Sequence, residues 1–287
     1  MSAEDGFGVV AIIGVGLIGG SLGMALKRRK LAKTIIGVGR NADRLTKAVR
    51  LGAIDKYAMD FTEGCAGADV IVLCTPVSRI IADLPAVLDV AGPNTVVTDV
   101  GSVKSAIVEA AGGDPRFIGS HPMAGSEANG VESSREDLFD EATWIVTPVA
   151  TTSPKAVTTA RNLGLAAGAS VFSSTPEAHD SAVAVISHLP HIMATSLMLQ
   201  AGDDARFMPS LPAMSAASFA DATRVAASSP DLWRDICMTN RNAVLAALDG
   251  FADRLSQARA AIANGQGDAL HAMFEAGRRA KGQWRKP

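Results

Sequence analysis

Histidine side chains are concentrated in two short motifs of the sequence. The chain has five histidines, and three of them lie in the segments SHPMAGSE (120–127) and SHLPH (187–191). Histidine is the side chain that most readily takes up and returns a proton near neutral pH. This clustering therefore predicts proton-transfer chemistry at the two motifs.

A glycine-rich turn, GVGLIGG (14–20), lies upstream of both histidine motifs. It follows an apolar segment and opens a helical pattern, the context in which such turns hold a dinucleotide. The first glycine permits the tight turn, the second lets the backbone approach the pyrophosphate, and the third lets the helix pack on the strand. The alternative is a glycine-rich turn with no ligand. The predicted cofactor residues here are Gly14, Gly16, Leu17, Ile18 and Gly19.

The residues about 20 positions beyond the turn bear on the choice of cofactor. An acidic side chain there normally accepts hydrogen bonds from the ribose of NAD, but this chain has Gly39 followed by Arg40. Loss of the carboxylate removes its repulsion of a 2′-phosphate, and a guanidinium pairs well with phosphate. The sequence therefore favours NADP over NAD. Alternatively, Arg40 is a solvated charge and Gly39 tolerates either cofactor.

The first half of the chain alternates short apolar segments with helical patterns, as a parallel sheet with crossover helices requires. Helices are predicted over residues 17–29 and 154–167. The predicted fold class is α/β, with a Rossmann-type, mostly parallel sheet. The predicted strands are residues 9–13, 34–38, 69–74, 95–100, 116–120, 144–148 and 170–174.

The pattern changes near Pro176 to long stretches rich in Ala, Met and Leu. The absence of strand-like alternation predicts an all-helical second domain, with domains at residues 1–177 and 178–287. Residues 182–200 carry apolar side chains on more than one helical face, and such a helix must be buried against something. Packing against a second copy would bury it, so we expect a dimerisation domain and a homodimer.

Two further motifs follow predicted strands at the edge of the sheet where ligands bind in such folds. Thr75 and Pro76, in CTPV, are expected along the nicotinamide side of the cofactor. Ser102, in DVGSVK, is a candidate N-cap of the next helix, and a residue that caps a helix can also present its hydroxyl to a substrate. His121 follows the next strand, which places it close to the nicotinamide. Together with the glycine-rich turn, these positions predict a dehydrogenase.

Six ordered motifs resemble those of one known family. GVGLIGG, CTPV, DVGSVK, SHPMAGSE, SHLPH and FADATRVAASSPDLWRDI (219–236) are similar to motifs of the prephenate and arogenate dehydrogenases of tyrosine biosynthesis, also called cyclohexadienyl dehydrogenases. The similarity begins at Val9 and covers both predicted domains. It implies the oxidative decarboxylation of a cyclohexadienol that carries a ring carboxylate and a pyruvyl or alanyl side chain. Hydride passes from the ring carbon bearing the hydroxyl to a nicotinamide.

The resemblance also implies roles for individual residues. His121 is the base or hydrogen-bond acceptor for the ring hydroxyl, and Ser102 helps to hold that hydroxyl and the imidazole. His191 is a substrate ligand supported by His188. Arg224 binds a substrate carboxylate, a role suited to its planar fork. Without the surrounding motif, Arg224 would be taken as a surface arginine of a helix.

A gate over the pocket is implied by the same resemblance. Glu127 matches a residue that pairs with the substrate-binding arginine, and Asp221 and Trp233 match positions around that cluster. Some relatives carry lysine where this chain has Ala220. The composition of this gate therefore departs from part of the family.

Composition excludes several other function classes. With 20% charged residues and a formal net charge of −2, there is no basic field to attract nucleic acid or a membrane surface. A small dianionic substrate would need locally placed cations. The three cysteines are widely spaced and match neither a disulfide framework nor a metal site, so no metal is expected. The N-terminus is acidic and lacks a signal peptide pattern, which predicts a cytoplasmic protein.

Several alternatives stay open. Prephenate is favoured as the substrate, but arogenate or use of both is compatible with the sequence. A different class of enzyme is another Rossmann-plus-helical dehydrogenase or imine reductase, which would have no evident need for His121, His191 and Arg224. A third class is a nicotinamide-sensing regulator without turnover, in which we would expect these residues to be lost.

Overall fold

Within residues 6–126 and 128–284, the part of the chain described by the computed structural model, eight strands form one sheet. The strands are β1 (Phe7–Ile13), β2 (Ala32–Val38), β3 (Lys56–Ala58), β4 (Val70–Leu73), β5 (Val96–Asp99), β6 (Phe117–Pro122), β7 (Thr143–Thr147) and β8 (Ser170–Ser173). Their order across the sheet is β3-β2-β1-β4-β5-β6-β7-β8. Only β6 and β7 pair antiparallel among these neighbours.

Helices connect and follow these strands. They are α1 (Leu17–Arg28), α2 (Ala42–Arg50), α3 (Phe61–Cys65), α4 (Val77–Val90), α5 (Ser105–Ala110), α6 (Pro154–Ala167), α7 (Pro176–Val183), α8 (Leu189–Ala205), α9 (Ala217–Thr223), α10 (Pro230–Thr239), α11 (Arg241–Ala263) and α12 (Gly267–Gln283). A π-helical turn, Ala184–His188, joins α7 to α8. Short 3₁₀ turns lie at Val131–Ser133, Leu211–Met214 and Arg224–Ala227.

The central strands are apolar on both sides because helices cover both faces of the sheet. In β1, Val10 and Ile12 belong to the hydrophobic core that packs against α1 and α6. Ala11 and Ile13 point the other way, into the core formed with α4 and α5. Side chains along a strand alternate between the faces, so a nearly continuous apolar segment serves both cores.

The α/β fold class predicted from the sequence is confirmed, with a mostly parallel Rossmann-type sheet followed by helices. Each predicted strand overlaps an observed one. The prediction missed β3, a three-residue edge strand at Lys56–Ala58. So short a segment shows too little alternation to be recognised from its sequence.

The chain divides into two compact units, residues 1–240 and 241–287. Helices α7 to α10 therefore belong to the same unit as the sheet. In the second unit, α11 and α12 pack against each other. The functional boundary that we placed after residue 177 stays a prediction.

One helical stretch, Pro176–Ala205, is long and apolar enough to cross a membrane on length and composition alone. It includes α7, the π-helical turn and α8. Apolar side chains along α8 are exposed in the single chain, among them Leu197, Met198 and Leu199.

The packing of α1 against the chain after α2 generates a stability prediction. A Cβ atom added at Gly23 would lie 1.9 Å from the backbone oxygen of Ala53, so Gly23→Ala must displace backbone. We expect it to lower the free energy of unfolding by about 1–3 kcal/mol, the usual cost of overpacking. Gly277→Ala is the control, because nothing lies within 4 Å of a Cβ there. Equal urea denaturation midpoints for the two variants would contradict this prediction.

Candidate functional site

Three loops and the end of one strand meet at the carboxyl edge of the parallel sheet. The loops follow β1, β4 and β5 and contribute Gly16, Thr75 and Ser102 to the wall of one cleft of about 740 Å³. The last part of β6 contributes His121, which the sequence placed just after the strand. Neighbouring parallel strands end at the same edge of a sheet, which is where open α/β sheets bind ligands. The predicted cofactor turn and the predicted proton acceptor therefore border one space.

The glycine-rich turn has the geometry that the sequence predicts. Gly14 has a φ angle of +92°, which favours glycine. A Cβ at Gly19 would lie 2.4 Å from the oxygen of Gly14, so only glycine lets α1 pack this closely. A Cβ at Gly16 would meet nothing within 4 Å, because this residue faces the cleft. The turn thus leaves open backbone where a pyrophosphate would approach.

Helix α1 presents an uncapped N-terminus to the cleft. Its N-cap, Gly16, provides no side-chain hydrogen bond, and the first turn contains no acidic residue. The first backbone N–H groups of a helix have no intrahelical acceptor, and they attract anions. Leu17 and Ile18 belong to this turn and line the cleft. On the β4 side, the buried hydroxyl of Thr75 has no partner among the described atoms. These features fit a bound dinucleotide.

The segment after β2 contributes to another part of the cleft wall. Arg40 is exposed, while Arg44, in the first turn of α2, lines the cleft. Glu132 also lines it and forms an ion pair with Lys47 of α2. The loop after β6 is thereby tied to the helix that follows Gly39 and Arg40.

His121 is linked to a second histidine and an aspartate. Its Nδ1 lies 2.8 Å from Nε2 of His179, and Nδ1 of His179 lies 2.8 Å from Oδ1 of Asp180. His179 is buried, with 1% of its surface exposed. The three side chains form a hydrogen-bonded series that begins in the interior and ends at the cleft.

Asp180 also holds the loop after β5 in place. Its carboxylate accepts hydrogen bonds from the backbone N–H groups of Lys104, at 2.7 Å, and Ser105, at 2.8 Å. These bonds satisfy the start of α5, so the helix is capped by a residue far away in sequence. The N-cap residue of α5 is Lys104, so the expectation that Ser102 caps this helix was wrong. Ser102 lines the cleft instead.

A fully buried ion pair, Asp99 with Lys104, lies next to the part of β6 that carries His121. Burial raises the pKa of Asp99 and lowers the pKa of Lys104. Further hydrogen bonds favour the charged forms of both residues. The Asp99 carboxylate accepts from the backbone N–H groups of Gly101 and Ser120, and the Lys104 ammonium donates to the backbone oxygen of Ser120. The pair joins the ends of β5 and β6, which carry Ser102 and His121.

Its surroundings hold His121 in the neutral state. Burial lowers the pKa of His121 well below its ordinary value of 6.5, and the neighbouring His179 and the positive charge of Lys104 lower it further. A neutral imidazole has a lone pair with which to accept a proton. His121 is therefore suited to act as a base at and below neutral pH.

The other motif histidines lie around one tryptophan. The ring of His191 stacks on Trp233 with centroids 3.4 Å apart, and His188 contacts the same ring edge-on at 6.0 Å. The described wall of the 740 Å³ cleft includes Leu232, the neighbour of Trp233, but neither histidine. His188 is buried, and its Nδ1 lies 3.3 Å from the amide nitrogen of Asn240.

Arg224 contributes positive charge next to His191. Burial lowers the pKa of His191, a hydrogen bond to the Ser187 backbone opposes this, and the charge of Arg224 lowers the pKa further. Arg224 is exposed in the single chain, as is Asp221. The expected partner of Arg224, Glu127, lies outside the described residues, so its role stays a prediction.

Sequence reasoning missed the residues that support His121. His179 and Asp180 lie next to the predicted domain boundary, and neither belongs to a recognised motif. Lys104 ends the motif DVGSVK but was given no role. The sequence did offer a signal for His179, since it is one of only two histidines outside the two motifs. Its contact with a residue 58 positions away depends on the fold.

Comparison with known proteins agrees with this geometry. Residues 22–173 match the family model "Prephenate dehydrogenase, nucleotide-binding domain", and residues 175–276 match "Prephenate dehydrogenase, dimerization domain". The prephenate dehydrogenase of Bacillus subtilis is 34% identical over 271 residues, covering 93% of this chain and 73% of the relative. The chain belongs to the prephenate dehydrogenase family.

Solved structures of the family share the fold. The arogenate dehydrogenase of Synechocystis is 33% identical, with a TM-score of 0.80 over 95% of this chain and 99% of that one. The prephenate dehydrogenase of Aquifex aeolicus, in complex with hydroxyphenyl propionate and NAD+, is 29% identical, with a TM-score of 0.82 over 95% and 96% of the two chains. The predicted membership is confirmed, and with it a nicotinamide-dependent oxidoreductase of aromatic amino acid biosynthesis.

The buried His188 generates a prediction about stability and pH. Burial lowers its pKa from 6.5 to about 4. Between these pH values His188 is protonated in the unfolded chain but stays neutral in the folded chain. The free energy of unfolding therefore falls as the pH falls. We expect His188→Gln to reduce this loss by on the order of 2 kcal/mol between pH 7 and pH 4. The measurement is urea denaturation at several pH values. Parallel pH dependences for the two proteins would contradict this role.

Proposed function

We propose that this chain is a prephenate dehydrogenase. It would convert prephenate to 4-hydroxyphenylpyruvate and carbon dioxide, with arogenate as the alternative substrate or as a second one. The observation that carries the proposal is the shared cleft, in which His121 and Ser102 face the same space as the glycine-rich turn. The hydride acceptor and the proton acceptor must both reach the same substrate carbinol, and this cleft has room for the cofactor beside His121.

Binding of the cofactor is assigned to the edge of the sheet. The N–H groups that begin α1, at Gly16, Leu17 and Ile18, would hold the pyrophosphate. Thr75 and Pro76 would lie along the nicotinamide. When bound, the nicotinamide ring supplies the hydride acceptor. Gly14 and Gly19 act through the shape of the turn.

Proton transfer is assigned to His121. Its imidazole takes the proton of the ring hydroxyl as hydride departs, and Ser102 holds the hydroxyl in place. Loss of the ring carboxylate as carbon dioxide returns its electron pair to the ring, which becomes aromatic. The phenol oxygen then regains the proton that His121 took, so no net proton is consumed by the enzyme.

The substrate is a dianion, and the net charge of the chain offers no general attraction. We assign carboxylate binding to Arg224 and hydrogen bonding to His191, with His188 behind it against Trp233. The charge of Arg224 acts on His191, which supports placing both at one pocket. Glu127 would pair with Arg224 when the pocket closes.

We propose a homodimer in the cytoplasm as the working form. The match of residues 175–276 to a dimerization domain supports this, as do the exposed apolar side chains of α8. Burial of these side chains against a second copy would remove them from water. No nucleic acid or membrane partner is proposed.

NADP is proposed as the preferred cofactor. The residue directly after β2, where an acidic side chain would repel a 2′-phosphate, is Gly39. A Cβ there would meet Leu45 only at ordinary contact distance. Sterics therefore do not require glycine at this position. Arg40 and Arg44 provide two guanidinium groups on the chain that follows, and Arg44 lines the cleft.

The activity test offers prephenate and arogenate, each with NAD and NADP, and records absorbance of the reduced nicotinamide. We expect turnover with prephenate, and His121→Asn should lower kcat by about 100- to 10,000-fold while cofactor affinity stays within a few-fold. Turnover with arogenate alone would favour the alternative substrate. No turnover in any of the four mixtures would reject the proposed function. If His121→Asn lost cofactor affinity to the same extent as kcat, His121 would have a structural role instead.

The cofactor proposal is tested by Arg40→Ser. We expect the KM for NADP to rise by about tenfold or more, the value of one charged hydrogen bond, with little change for NAD. Arg50→Ser is the matched control, since Arg50 is an exposed arginine at the other end of α2. A wild-type preference of tenfold or more for NAD would overturn the proposal.

A further inference from the structure

The series Asp180, His179, His121 constrains where protons reside. A carboxylate accepts hydrogen bonds and donates none. Asp180 already accepts from two backbone N–H groups, those of Lys104 and Ser105. Burial raises the pKa of Asp180, but its hydrogen bonds lower it more, so the net shift is downward. Asp180 is therefore ionised, and Nδ1 of His179 must carry the hydrogen of their 2.8 Å contact.

The hydrogen on Nδ1 of His179 in turn determines where His121 carries its hydrogen. In the arrangement that we propose, the single N–H of the His179 ring is the one at Nδ1, which leaves a lone pair at Nε2. The 2.8 Å contact with His121 then requires a hydrogen on Nδ1 of His121. Nε2 of His121 is left without a hydrogen. His121 lines the cleft, and Nε2 is its ring nitrogen not engaged with His179.

We propose that His179 and Asp180 are positioning residues that hold His121 in the one tautomer able to accept a proton at Nε2. The proposal rests on the proposed function, in which His121 takes the proton of the substrate hydroxyl. When Nε2 accepts that proton, His121 becomes an imidazolium whose Nδ1–H still points at His179. The charge is then stabilised through His179 by the carboxylate of Asp180. An aspartate plays the corresponding orienting role for the histidine of a serine protease triad.

Helix α7 and its contacts fix the positions of His179 and Asp180. His179 and Asp180 are the fourth and fifth residues of α7, whose N-terminus is capped by Thr175. Asn240 donates to the backbone oxygen of Asp180 at 2.8 Å. Since Asp180 also caps α5, its replacement would disturb the loop that carries Ser102. His179 makes the connection to His121, so it is the position to change.

The experiment compares His179→Phe with His179→Gln. Phenylalanine has a ring but no acceptor, whereas the glutamine amide oxygen can accept from Nδ1 of His121. We expect His179→Phe to lower kcat with prephenate by about 100-fold or more, with KM and cofactor affinity within a few-fold of wild type. His179→Gln should recover at least tenfold of that loss. His271→Phe is the control, since this exposed histidine lies in the second unit.

A second measurement reads the tautomer without turnover. In cofactor-free protein with ¹⁵N-labelled histidine, His121 should show a hydrogen at Nδ1 and none at Nε2, with the assignment made from its loss in His121→Asn. His179→Phe should lose this preference. A hydrogen at Nε2 of His121 in the wild type, or unchanged kcat in His179→Phe, would overturn the proposal. Because this readout needs no substrate, its failure is distinct from inactivity toward prephenate.

Discussion

The candidate site depends on the hydrogen bonds that converge on Asp180. One carboxylate accepts from the backbone at the start of α5 and from the ring of His179. It thereby links the loop carrying Ser102 to the helix that supports His121. The buried pair of Asp99 and Lys104 joins the ends of β5 and β6. Replacement of one charge in such a pair leaves the other unpaired in the interior, which is strongly destabilising.

Strand direction brings the chemistry together. Because β1, β4, β5 and β6 run parallel, the loops after them meet at one edge of the sheet. The glycine-rich turn, Thr75, Ser102 and His121 are far apart in sequence and still border one cleft. In the proposed function, these loops and the end of β6 supply anion binding, nicotinamide contact, a hydroxyl and a base. The antiparallel pairing of β7 with β6 then extends the sheet beyond the site.

The sequence predicted the features that are local or periodic. The strands and α1 could be recognised from apolar patterning, and Gly14, Gly16 and Gly19 from a motif whose spacing follows from the backbone conformation it needs. The sequence placed Ser102 and His121 at the edge of the sheet where the cleft lies, because each comes after a predicted strand; in the structure His121 is the fifth residue of β6. The support of His121 could not be predicted, since the contacts of His179 and of Asp180 join residues 58 and 76 positions apart. The expectation that Ser102 caps α5 was wrong for the same reason, because the carboxylate of the distant Asp180 accepts the hydrogen bonds at the start of that helix.

In the proposed reaction, one cleft couples hydride loss from the substrate carbinol to proton uptake by His121. The most direct test supplies prephenate with deuterium on the ring carbon that bears the hydroxyl, together with NADP. We expect reduced nicotinamide carrying one deuterium, in an amount equal to that of carbon dioxide and of the phenolic product. It should form more slowly than from unlabelled prephenate. Phenolic product without reduced nicotinamide, or reduced nicotinamide without deuterium, would contradict it.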